Sequence, residues 1–261
     1  MSADTPARRP VLSAQPSSAP LLLCYHAVSS DWPAALAVSP DQLRDHVAVL
    51  AARGYRGVTF HAAASDQAGP GAVAITFDDA MRSVLDAAFP ILRAAGFPAT
   101  VFAPTDFIGS SRPMTWPGVE SWLDGPHRDE LNALSWDELR ALSAAGWEIG
   151  SHTRSHPRLT EIDSSTLDSE LRGSLAEIEA RLDAPCRSLA YPYGAYDARV
   201  VDAAARAGYA AAAGTMPGRM HPPTSTLDWS RLPINRVDGR RRFALKTSRT
   251  ARRLKGTPAW G

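Results

Sequence analysis

The chain has 261 residues, 44% of them hydrophobic and 21% charged, with a formal net charge of +1. Those values suit one soluble α/β domain with a sizeable core, at most two, and argue against a dedicated nucleic-acid binder. The near-neutral total hides an asymmetry: Arg231 to Lys255 holds ten basic residues and one acid, Asp238, so that segment is +9 and the rest of the chain −8.

Residues 1–19 are rich in Pro, Ser and Ala and are expected to be disordered. They lack the apolar core of a secretory signal, and no apolar run later is long enough to span a membrane, so a cytoplasmic location is expected. Cys24 and Cys186 are too few and too far apart for a disulfide framework. Each abuts an apolar run and reads as a small buried thiol.

The ordered part opens with "PLLLCYH" (20–26), which reads as a strand. Residues 39–54 predict a helix with Ser39 as N-cap, Pro40 in its first turn and Gly54 beyond its end. "RGVTF" (56–60) and "AVAITF" (72–77) predict strands, and 81–96 a helix kinked by Pro90. After a strand at 98–103 comes a long loop over 104–134, a length that often carries function. Ser135 and Glu138 have capping-box spacing at the start of a helix over 135–146. Further strands are expected at 147–152, 188–194, 209–214 and 231–237, with helices at 164–182 and 197–208. Such alternation means parallel strands joined by right-handed crossovers, and seven or eight of them suggest a closed, distorted (β/α) barrel over residues 20–238. Residues 239–261 form a basic C-terminal tail, which could lie against an anionic membrane surface at the inner face.

Chemistry in such barrels sits where the strands end. His26 ends the first strand, Asp78 and Asp79 the third, His152 the strand at 147–152, and Tyr193 with Gly194 the next. His152 and His156 are four apart; on a helical turn both imidazoles would share a side, as in zinc-binding pairs. With a carboxylate from another strand end, two histidines would leave metal positions open for water and substrate. Adjacent strand residues point to opposite faces, so Asp78 and Asp79 can have different neighbours. One can ligate a metal while the other accepts a proton, and the metal charge relieves their repulsion.

"TFDDA" (76–80), "SHTRSH" (151–156) and "YPYG" (191–194), in this order, resemble the polysaccharide deacetylase family, also called the nodulation-type chitooligosaccharide deacetylase homology domain. The resemblance implies a barrel of about seven strands that removes acetyl groups from N-acetylated, sometimes O-acetylated, sugars with a divalent metal. The metal would be Zn2+ first, with Co2+, Ni2+ or Mn2+ as alternatives. It makes Asp78 the general base, Asp79, His152 and His156 the metal ligands, and Tyr193 the residue whose backbone N–H meets the oxyanion.

Two departures stand out. The late motif that usually brings the acid histidine is missing, and His221 is poorly placed for it. His26, in "LLLCYHAV", resembles a subgroup with that histidine at the N-terminus, and in a closed barrel first and last strands are neighbours. Ala190 stands where many members have an arginine that orients the base. Arg236 or Arg231 could supply the charge, close after Asp228 and Trp229, which resemble the family's fourth motif. Trp116, Trp122 and Trp229 are expected in loops, where sugars could stack on them. A metal-dependent hydrolase of a non-sugar amide or cyclic imide is the alternative on the same barrel. A non-catalytic carbohydrate binder is disfavoured, since it needs no water-activating set.

Overall fold

The computed structural model describes residues 20–65, 68–215 and 225–248. The expected tail at 1–19, His221, and the tail beyond Ser248 lie outside them.

Strands β1 (Leu21–Tyr25), β4 (Arg56–Val58), β5 (Ala72–Phe77), β6 (Thr100–Ala103), β7 (Glu148–Ser151), β8 (Ser188–Ala190), β9 (Ala211–Thr215) and β10 (Trp229–Pro233) form one parallel sheet, while β2 (Ala27–Val28) and β3 (Ala37–Val38) pair apart. β1 pairs with β10 on one side and β5 on the other, which closes a seven-stranded barrel. β4 wedges against the first half of β5, at 72–74, and β6 takes up pairing from Thr76.

Helices α1 (Pro40–Ala52), α3 (Phe89–Ala94), α4 (Trp136–Ala144), α5 (Ser164–Leu182), α6 (Ala198–Ala207) and α7 (Arg240–Lys246) surround the barrel. The two caps read from the sequence are present: Ser39 caps α1, in a capping box with Gln42, and Ser135 forms its capping box with Glu138. The structure adds two more, Asp163 on α5 and Asp197 on α6. Four elements differ from expectation. The strand expected at 188–194 ends at Ala190, and Pro192–Gly194, with Tyr193, form a 3-10 turn beyond it. Thr59 leaves the strand to cap a short helix, α2 (Phe60–Ala64). The predicted helix at 81–96 is split into a π-helical turn over Val84–Ala88 and α3, because Pro90 has no N–H to continue an α ladder. β10 starts two residues early, so Trp229 is its first residue and not a loop residue.

Period-two alternation divides the strands between two cores. Leu21, Leu23, Val73, Ile75, Phe77, Val101, Ile149 and Leu189 face the helices. Leu22, Ala72, Ala74, Phe102, Ala190, Ala211 and Ala213 face the interior. The same parity carries on to Cys24 and His26 from β1, Thr76 and Asp78 from β5, His152 from β7 and Arg231 from β10. Small interior side chains thus leave the upper barrel to one large cation. A third cluster, with Trp32, Met81, Phe107, Met114, Trp116 and Leu131, joins the 104–134 segment to the loop after β1. Among the described residues no helix is long and apolar enough to cross a membrane.

Candidate active site

The site stands at the C-terminal ends of β1, β5, β7, β8 and β10. Asp78 lies just past β5, its N–H bonded to the Tyr25 carbonyl (2.9 Å), so the backbone ladder fixes it. Arg231 grips it from β10: Nη1 donates to Oδ1 (2.6 Å) and Nη2 to Oδ2 (2.8 Å), both residues being buried. Nη1 also donates to Thr76 Oγ1 (2.9 Å), and the guanidinium lies over the Phe102 ring (5.2 Å). This planar fork matches both carboxylate oxygens. Burial, the largest single influence, would raise the Asp78 pKa, but the charge and hydrogen bonds of Arg231, with His152 and His26 nearby, together outweigh it and hold the carboxyl well below its usual range. Of the two arginines offered by the sequence, Arg231 is therefore the charge partner. Arg236 instead donates to the Trp32 carbonyl (2.8 Å) in the loop after β1.

Asp79 takes the opposite course. Its φ of 71° and that of Ala80, 52°, turn the chain sharply after Asp78. Asp79 Oδ1 is buried with no hydrogen-bond partner among the described residues and lies 3.5 Å from His152 Nε2 and 3.6 Å from His156 Nε2. Burial and then the charge of Asp78 push the Asp79 pKa well above the ordinary value. Burial holds both histidines neutral, His152 down to about 4 and His156 well below its ordinary value. His152 Nδ1 donates to the Ala190 carbonyl (2.8 Å), which points the Nε2 lone pair at Asp79. Two neutral imidazoles aimed at an orphaned buried carboxylate oxygen are a donor set that fits a divalent cation, whose charge would keep Asp79 ionised.

The histidines converge by a route the sequence reading did not expect. Residues 152–156 form no helical turn; Thr153 (φ 66°) and His156 (φ 63°) are left-handed and bend a loop. Glu170 of α5 braces it, accepting from the Arg154 and Ser155 N–H groups (2.8 and 2.9 Å) and the Ser155 hydroxyl (2.6 Å). Tyr193 is also left-handed (φ 59°), and a Cβ on Gly194 would meet the Thr215 backbone at 2.5 Å. Five of the six non-glycine residues with positive φ among the described residues are thus Asp79, Ala80, Thr153, His156 and Tyr193. Strain concentrated at one rim is characteristic of functional sites.

His26 comes in from β1, beside Asp78, as barrel closure requires. Ligand atoms of Cys24, His26 and Asp78 lie within 4.8 Å of one another, and Cys24 Sγ donates to Asp78 Oδ2 (3.4 Å). Burial lowers the His26 pKa, with the Asp78 charge acting against it. Both cysteines are buried thiols, as expected, but the contact of Cys24 with Asp78 had no signal in the sequence. Asp228 accepts from the Ser225 N–H (3.0 Å) in the turn before β10, and Trp229 packs against the interior core.

A family model described as polysaccharide deacetylase matches residues 65–212, more than half of the chain. The chain belongs to the polysaccharide deacetylase family. His26 and Arg231 lie outside that match, on the two strands that close the barrel. Among curated relatives, the Bacillus subtilis (strain 168) protein YxkH, named for the same family, is 25% identical over 209 residues, 78% of this chain and 67% of that protein. The poly-beta-1,6-N-acetyl-D-glucosamine N-deacetylase of Staphylococcus epidermidis is 28% identical over 129 residues, 46% of this chain and 39% of that protein. The solved structure of the Streptococcus pyogenes deacetylase PplD shares the fold with a TM-score of 0.72 at 21% identity, covering 87% of this chain and 97% of that one.

Proposed function

We propose that this protein is a hydrolase that removes acetyl groups from an N-acetylated sugar, with Asp79, His152 and His156 holding a divalent cation, Zn2+ in the first instance. The observation that carries the proposal is the division of labour at the end of β5. Asp78 is kept ionised by Arg231, while Asp79 offers an unpartnered oxygen to two neutral histidines. The staphylococcal relative named as an N-acetylglucosamine polymer deacetylase, and the acetate held in the structure of PplD, agree with acetyl as the group released.

When bound, the cation supplies Lewis acidity, lowering the pKa of water and polarising a carbonyl. Asp78 accepts the proton of the attacking water. The Tyr193 N–H donates to the carbonyl oxygen as negative charge develops on it. His26, next to Asp78, gives a proton to the departing amine nitrogen, and acetate and a free amine leave. Burial keeps the protonated form of His26 scarce near neutral pH; the negative charge of Asp78 counteracts this.

The test is acetate release from N-acetylglucosamine oligomers and from monomeric and lipid-linked N-acetyl sugars, with and without chelator. Release that falls at least ~100-fold on chelation and returns with Zn2+ is expected. No release from any of these sugars would sink the proposal, and release indifferent to chelator would sink the metal role.

A peripheral contact with an anionic membrane is proposed for the basic C-terminal segment. Val237 and Leu245 are 65% and 70% exposed on either side of Arg240–Arg242. Part of this charge is spent within the fold, since Arg240 pairs with Asp45 and Arg242 and Lys246 pair with Asp238. Changing Arg240, Arg241 and Arg242 to glutamine should weaken co-sedimentation with phosphatidylserine vesicles by at least about fivefold. Equal sedimentation of variant and parent would end this proposal.

A further inference from the structure

His152 and His156 are held in different ways. His152 has the usual outer support for a ligating imidazole, a backbone carbonyl on its second nitrogen (2.8 Å). His156 has none: its Nδ1 is buried with no hydrogen-bond partner among the described residues. Rings surround it instead. The Trp116 indole stacks on it at 4.0 Å and 19°, and Tyr193 and His152 meet it edgewise, each at 4.7 Å.

We infer that Trp116 is a positioning residue for His156, its indole face fixing the imidazole plane as the Ala190 carbonyl fixes that of His152; this rests on the cation-binding reading above. An imidazole without a hydrogen bond on its second nitrogen can swing about its side-chain torsions, and a face-to-face stack removes that freedom. Ligation also draws electron density out of the imidazole and makes it cation-like. The indole face, the most negative among aromatic side chains, favours that state. Trp116 is itself fixed: Phe107 meets it edge-on at 5.2 Å and 88°, and Arg112 lies 4.6 Å from the Phe107 ring. The 104–134 segment is closed on itself by the Met114 N–H on the Leu131 carbonyl (3.0 Å) and pinned at both ends, by the Thr105 N–H on the Thr153 carbonyl (3.1 Å) and by the Leu134 N–H on the Ala80 carbonyl (2.9 Å), while the Ser29 hydroxyl donates to Glu130 (2.5 Å). Trp116 is only 7% exposed, so the face expected to receive a sugar is already covered by His156. The long segment after β6 thus reaches across the barrel mouth to complete the metal end of the site.

The experiment measures Zn2+ affinity by competition with a chromophoric chelator, and the visible spectrum of the Co2+-loaded protein. It compares the parent chain with Trp116→Phe, Trp116→Leu, Trp116→Ala and His156→Ala, with thermal unfolding of each metal-free protein in parallel. Trp116→Leu keeps an apolar side chain without a ring, and Trp116→Phe keeps a ring. The leucine and alanine variants should bind Zn2+ about tenfold more weakly and shift the Co2+ bands, while the phenylalanine variant stays nearer the parent. If Trp116→Ala does not fold, the leucine–phenylalanine contrast still decides. Parent-like affinity and spectrum for Trp116→Leu, with His156→Ala weakened, would overturn the inference and leave the cation reading standing. A parent protein that binds Zn2+ no better than His156→Ala would overturn both.

Discussion

Asp78→Asn is expected to lower kcat/KM for acetate release by roughly 10³-fold while Zn2+ affinity stays near that of the parent chain. The reason is the geometry at the end of β5. Asp78 gives both oxygens to Arg231 and none to the His152–His156 pair, so in the proposed mechanism its charge serves proton transfer and not ligation. An amide cannot accept the water proton, and it offers the guanidinium fork only one acceptor. Asp79→Ala should behave oppositely, losing metal first and activity as a consequence, because Asp79 Oδ1 is the atom facing both Nε2 atoms. Steady-state kinetics at saturating Zn2+, paired with chelator competition, separate the two. Equal loss of metal affinity in both variants would refute the division of roles. So would an Asp78→Asn enzyme that keeps more than about a tenth of its rate.

The fold and the candidate site were partly legible in the sequence, and the limits of legibility have physical causes. The apolar runs and their caps gave the barrel, because a buried parallel strand needs a continuous apolar run and a helix needs its first N–H groups satisfied. Most candidate site residues, His26, Asp78, Asp79, His152 and Tyr193, were legible because they end such runs, and His156 by its spacing from His152. The charge partner of Asp78 was not, because it depends on which residues of β10 face inward. The strand was expected at 231–237, which put Trp229 in a loop and both Arg231 and Arg236 on the strand, whereas β10 runs Trp229–Pro233. The structure separates them: Arg231 shares the inward face of β10 with Trp229, whereas Arg236 lies beyond the end of β10 against the Trp32 carbonyl. The His152–His156 loop was misread for a different reason. Their spacing fits a helical turn, but left-handed residues held by Glu170 bring them together, and no local pattern announces a brace supplied from α5. Trp116 was visible as a loop aromatic, yet its partner His156 is 40 residues away, and only the fold brings the two into contact.

The same parity makes Arg231→Met the most damaging single change expected for stability. Methionine fills much of the space but leaves the Asp78 carboxylate buried without a partner, a loss of about 3–5 kcal/mol at neutral pH. Spread over a domain of this size, that is roughly a 10 °C fall in Tm. The pH dependence gives the mechanism away. In the parent, Arg231 depresses the folded-state pKa of Asp78, so the pair stabilises above the unfolded carboxylate pKa and its contribution is lost as pH falls through the lower folded value. In Arg231→Met, burial is no longer offset by the guanidinium and the Asp78 pKa rises, so the folded protein takes up a proton instead of holding a bare charge. The stability gap between parent and variant should therefore be widest near neutral pH and shrink towards about pH 4. The acid limb of kcat/KM should move up in pH, since Asp78 must be ionised to accept a proton. Arg236→Met is the matched control: it removes a surface-loop contact and should leave both pH profiles unchanged. Denaturant unfolding at the two pH values, with kinetics alongside, measures all of this. A gap of the same size at both pH values, or an equal effect from Arg236→Met, would show that Arg231 supports the barrel by packing alone and that the base is oriented by some other group.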